Sequence, residues 1–147
     1  MTKKHIKIIG FALLTIGLVF SVIFHQSVHF NLDPQVWFTP EYYLQFIPLY
    51  IAATLFLCGL FVVIELRSIN FYLAVFGHSA SEEILFSLAG LTTTPLPNYA
   101  AWIFLPLSCI ALWMAYTNTL NCKKVSRAEA IFGVLFSTAF ILWPRFW

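Results

Sequence analysis

The chain predicts an all-α, polytopic helical membrane protein of one domain, with four clear transmembrane helices and a fifth helical segment that is amphipathic, re-entrant or spanning. Three observations carry this. Of 147 residues, 61% are hydrophobic and only 10% charged, against about 25% charged in soluble domains. A fold this small has no interior large enough for so much apolar surface, whereas a bilayer serves as an apolar solvent. Uncharged runs long enough to cross a ~30 Å hydrocarbon core recur along the chain. Sixteen Phe and further aromatics, 18% of the chain, gather at the ends of these runs, where Trp and Tyr favour the membrane–water boundary. Strand-like alternation is missing, which argues against a β-barrel.

The first span is expected over 8–30. It follows Lys3, Lys4 and Lys7 and is uncharged as far as Phe24. No small-x-small cleavage site follows it, so it reads as a retained helix rather than a signal peptide. The stretch 25–43 is a loop, because Asp33-Pro34 and Thr39-Pro40 interrupt any helix. Phe30, Trp37, Phe38, Tyr42 and Tyr43 give it an interfacial character. The second span, 44–65, carries Pro48 near its first turn, where a missing N–H costs least. A further span covers 99–117 and should bend at Pro106. The last, 127–143, opens on Ser126-Arg127-Ala128-Glu129, which has capping-box spacing, and closes at Pro144. Trp143, Arg145 and Trp147 read as an interfacial anchor.

The segment 69–91 decides the topology. Two central carboxylates, Glu82 and Glu83, cost roughly 5–7 kcal/mol on insertion, and ten Leu, Ile, Phe or Val residues recover roughly 3–6. Hydropathy is therefore near break-even. If the segment crosses, Lys3, Lys4, Lys7, Arg67, Lys123, Lys124 and Arg127 share one side and only Arg145 is opposite. If it does not, the division is five against three, so the positive-inside rule favours crossing. Local chemistry opposes it: Gly77 followed by Ser79-Ala80-Ser81-Glu82 reads as a helix break and a fresh capping box, with a short surface or re-entrant helix beyond.

Few residues offer chemistry. His78, Glu82 and Glu83 form a candidate proton or ion site, since ionisable groups at membrane depth often mark such paths. On a continuous helix His78 and Glu82 are neighbours four residues apart. Capping and a solvated face compete with this reading. His25 and His29, also four apart, are a weak candidate metal pair that Asp33 or Glu41 would have to complete. Lys3, Lys4, Lys7, Lys123, Lys124 and Arg127 are expected to set topology and meet lipid head groups. Cys58, Cys109 and Cys122 lack any metal or redox spacing. Gly10 and Gly17, seven residues apart, would admit a close neighbour without forming GxxxG.

A net charge of +2, scattered along the chain, does not point to nucleic acid, and no nucleotide, nucleophile or zinc-protease motif is present. The expected function is non-enzymatic: an accessory, stress-tolerance or immunity-type protein of a bacterial inner membrane. It would act through lipids, another membrane protein or a second copy of itself, without cofactor. A small proton- or ion-coupled transporter is the alternative. The N-terminus is expected in the cytoplasm, beside three lysines.

Overall fold

A computed structural model describes residues 3–146, with Phe38 described by its backbone alone. Five helices dominate: α1 (Lys3–His25), α3 (Phe46–Val63), α4 (Ile69–Leu88), α5 (Asn98–Thr117) and α6 (Arg127–Leu142). A short α2 (Pro40–Leu44) and 3-10 turns at Val36–Phe38 and Trp143–Arg145 complete the described chain. Among the described residues there is no strand. Four stretches, Lys3–His25, Pro40–Val63, Asn98–Thr117 and Arg127–Arg145, are long and apolar enough to cross a membrane.

α1 stops at His25, short of the expected Phe30. Ser27 N–H donates to the Phe24 carbonyl and Val28 N–H to that of His25, a turn that ends the helix. His29 is then tied elsewhere: its N–H donates to Gln45 Oε1 at 2.8 Å, and Gln45 Nε2 donates back to its carbonyl at 3.2 Å. His25 and His29 therefore share no helical face, and the helical spacing expected to bring them together does not form. The loop beyond is held by its own polar groups, with Asp33 N–H on Asn31 Oδ1 and Gln35 N–H on Asp33 Oδ1. Pro40 then starts α2 in the first helical turn, where its fixed φ suits the helix.

α1 and α3 lie side by side, antiparallel, because glycines remove the side chains between them. Gly17 faces the backbone of Phe56, and Gly59 faces the backbone of Leu14. The partner glycine on α3 is what the spacing in α1 alone could not reveal. α3 closes in a Schellman turn: Leu66 N–H reaches the Phe61 carbonyl and Glu65 takes the left-handed position (φ 56°) usually given to glycine.

α4 is one unbroken helix, and it occupies the middle of the bundle against α3, α5 and α6. Eleven of its twenty residues are buried, which rules out a helix lying on the surface. It ends in a second Schellman turn, with Leu91 N–H on the Phe86 carbonyl and Gly90 left-handed. The expected break at Gly77 and cap at Ser79 are both overturned. Gly77 is a packing notch: an added Cβ would meet Leu112 Cγ at 2.6 Å. Ser79 Oγ bonds across to α6, donating to Ser137 Oγ at 3.0 Å. A capping box needs free N–H groups at a helix start, and here the helix simply continues.

The ends of the bundle follow from these contacts. Lys123 N–H donates to the Arg67 carbonyl at 3.0 Å, joining the α3–α4 turn to the α5–α6 loop. Arg145 joins the end of α6 to Glu83 and to the Thr93 carbonyl in the α4–α5 loop. α4 therefore runs the full length of the bundle, as its neighbours do. Seven cationic side chains, Lys3, Lys4, Lys7, Arg67, Lys123, Lys124 and Arg127, lie towards one end, and Arg145 lies at the other.

The cap of α6 forms as the spacing predicts. Glu129 N–H donates to Ser126 Oγ at 3.2 Å, and Ser126 N–H donates to Glu129 Oε2 at 2.8 Å. Ser126→Ala should therefore lower stability by about 0.5–2 kcal/mol. Thermal unfolding in detergent would show it, and an unchanged midpoint would mean that water caps this end equally well.

Candidate functional site

α4 brings polar side chains to the depth of the bundle, each meeting a different neighbour. His78 and Glu82, four residues apart, share one face; Glu83, one residue on, points elsewhere. His78 Nε2 lies 2.8 Å from Tyr116 Oη on α5. Its Nδ1 lies 3.8 Å from Glu82 Oε1. Thr138 Oγ1 on α6 donates to Glu82 Oε2 at 2.9 Å. The order Tyr116–His78–Glu82–Thr138 thus links α5 to α6 across α4.

The face that carries this chain is the open one. The stripe Phe71, Val75, His78, Glu82 and Leu85 recurs every three or four residues on α4, and each of these is partly or fully exposed. Leu85, next along the stripe from Glu82, is 52% exposed. α5 and α6 both pack on α4 but not closely on each other, and the stripe lies in the cleft between them. His78 and Glu82 keep 19% and 14% of their side-chain surface there.

Glu83 has the opposite character. It is fully buried, and Arg145 Nη2 donates to Oε1 at 2.9 Å and to Oε2 at 3.0 Å. The same nitrogen reaches the Thr93 carbonyl at 3.1 Å, and Nη1 donates to the Ile141 carbonyl. Arg145 is therefore turned inward, which corrects its reading as an interfacial anchor; Trp147 lies outside the described residues. The guanidinium holds the carboxylate as a structural clasp joining α4, α6 and the α4–α5 loop. The structure thus separates Glu83, paired with Arg145, from His78 and Glu82, which lie together on the other face.

A second buried polar chain runs on the inner side. Tyr50 Oη on α3 lies 3.2 Å from Ser79 Oγ, Ser79 donates to Ser137, and Ser137 donates to the Val75 carbonyl at 3.4 Å. Tyr50, Ser79, Tyr116, Ser137, Thr138 and Arg145 belong to no motif or spacing that marks a site in the sequence. Only Arg145 carried a signal, as a cation near an otherwise apolar span with a lone acidic pair elsewhere.

The chain matches no family model, no curated protein and no solved structure.

The remaining candidates are dispersed. Among the described residues no three His, Cys, Asp or Glu side chains converge as metal ligands. Lys3, Lys4, Lys7, Lys123, Lys124 and Arg127 are exposed at the basic end, where Lys123 Nζ pairs with Glu129 Oε1 at 2.5 Å. Cys58 is buried, Cys109 exposed and Cys122 intermediate, and all three are free thiols.

Proposed function

We propose that the protein is a non-enzymatic component of a bacterial inner membrane that works by binding another membrane protein along the cleft between α5 and α6. The observation that carries this is the placement of His78 and Glu82 on the outward stripe of α4. Ionisable groups at membrane depth normally face a bundle interior or a water-filled cavity. A polar pair facing outward at that depth is met best by donors from a neighbouring helix, since hydrocarbon supplies none. Accessory and immunity-type proteins act through contacts of this kind. The seven cationic side chains towards one end support a cytoplasmic location for that end, and with it the N-terminus.

A photoreactive amino acid placed at Leu85, on the α4 stripe, and at Phe11, exposed on α1, tests the reading in intact membranes. Protein-sized adducts from position 85 and lipid adducts alone from position 11 are expected. Lipid adducts alone from both positions would remove the proposal.

The chain Tyr116–His78–Glu82–Thr138 favours a second reading, passage of protons coupled to transport. Vesicles holding the purified protein and a pH-sensitive dye separate the two. Under the contact reading, wild type and Glu82→Gln are equally tight to protons under an imposed membrane potential. A voltage-driven proton flux that disappears in Glu82→Gln would put the second reading first, because glutamine keeps the shape but exchanges no proton.

A further inference from the structure

The basic end of the bundle contains a cavity of about 580 Å³ where the start of α1, the α3–α4 turn and the α5–α6 loop meet. Its floor is apolar: Val62, Ile69 and Leu120 are at most 5% exposed. Its rim is cationic, formed by Lys3, Arg67 and Lys123. Lys123 is already paired with Glu129. Lys3 and Arg67 have no acidic partner among the described residues, and Glu65 is the one carboxylate in the lining.

The walls are tied in place without any ligand. Lys123 N–H donates to the Arg67 carbonyl at 3.0 Å, and the buried Asn70 Nδ2 donates to the Lys123 carbonyl at 3.0 Å and to Asn118 Oδ1 at 2.6 Å. These bonds fix the two loops relative to the start of α4. A preformed cavity avoids part of the ordering cost of binding.

We infer that this cavity binds the phosphate of a membrane lipid head group, with Arg67 and Lys3 as its ligands and the apolar floor under the lipid's glycerol and first methylenes. A guanidinium presents paired donors that match phosphate oxygens, and a lysine adds a mobile point charge. The position at the end of spanning helices puts the rim at head-group level, and the apolar floor suits an amphiphile better than a free ion. Glu65 complements a head group that also carries an amine and disfavours one with several negative charges.

The test uses the full-length protein, purified in detergent and delipidated, with native mass spectrometry and thermal unfolding as readouts. Phosphatidylethanolamine, phosphatidylglycerol and inorganic phosphate are titrated separately. The expected result is one tightly held phospholipid per chain, a saturable rise in the unfolding midpoint with phosphatidylethanolamine that exceeds the rise with phosphatidylglycerol, and no effect of inorganic phosphate. Arg67→Gln and Lys3→Gln should each weaken lipid retention, while Lys124→Gln, outside the cavity lining, should not. Equal losses from Lys124→Gln and Arg67→Gln would reduce the effect to general surface charge and overturn the site. Protection by inorganic phosphate equal to that by lipid would overturn the amphiphile. The Arg67 side chain is exposed and bonded to nothing in the described fold, so an unchanged circular dichroism spectrum is expected for its variant.

Discussion

Arg145→Ala should be the most damaging single substitution in the bundle, costing about 3–5 kcal/mol, the usual price of stranding one member of a buried ion pair. Glu83 has no exposed surface, and both of its oxygens accept from Arg145. Removing the guanidinium leaves a carboxylate among apolar side chains and also frees the Thr93 and Ile141 carbonyls that Arg145 satisfies. Glu83→Gln should cost less, because Arg145 retains those two carbonyls and the glutamine oxygen can still accept from its guanidinium. Replacing both at once, Glu83→Leu with Arg145→Met, should restore much of the loss, since a buried pair is offset by its own desolvation. Unfolding in detergent with rising denaturant measures the series. An Arg145→Ala variant as stable as wild type would mean that water reaches Glu83 and that the clasp contributes little.

Gly59→Val should separate α1 from α3. The added Cβ lands on the backbone nitrogen and Cα of Leu14, which no rotamer change can move. Overpacking typically costs about 1–3 kcal/mol, and a backbone clash belongs at or above the top of that range. Within a bilayer, close packing itself drives helix association, so the lost approach is not made good by a hydrophobic effect. Gly17→Val should behave alike, because its Cβ would strike the backbone of Phe56. Gly133→Ala on α6 is the control. There the nearest atom, Val75 Cγ2, lies 3.8 Å from the added Cβ, so only the helix preference of about 0.5–1 kcal/mol for Ala remains. Cysteine pairs across α1 and α3 would report the separation as a lost cross-link. Equal cross-linking in Gly59→Val and wild type would show that the two helices are held by other contacts.

These substitutions also mark how far the residue pattern reaches. Gly17 was legible as a site of close approach, but its effect depends on Gly59 and Phe56 in a helix that spacing within α1 cannot identify. Glu83 was legible as an unusual charge, and its partner lies 62 residues away. Ser79-Ala80-Ser81-Glu82 and Ser126-Arg127-Ala128-Glu129 have the same local pattern, yet only the second caps a helix. The difference is that Ser126 follows a loop whose N–H groups need partners, whereas Ser79 sits within a continuous helix and faces Ser137.

What the sequence by itself determined is whatever depends on composition and on neighbours three or four residues apart: the helical membrane class, four of the spans and the cap of α6. Those features rest on transfer free energy and backbone geometry, which are local. Only the tertiary structure decided the place of α4. Its insertion was near break-even because the cost of Glu82 and Glu83 depends on what meets them. Thr138 comes from α6 and Arg145 from the 3-10 turn that follows it, distant in the chain and adjacent in the fold. The same long-range pairing separates the two carboxylates by role, one clasped inside the bundle and one turned to the cleft.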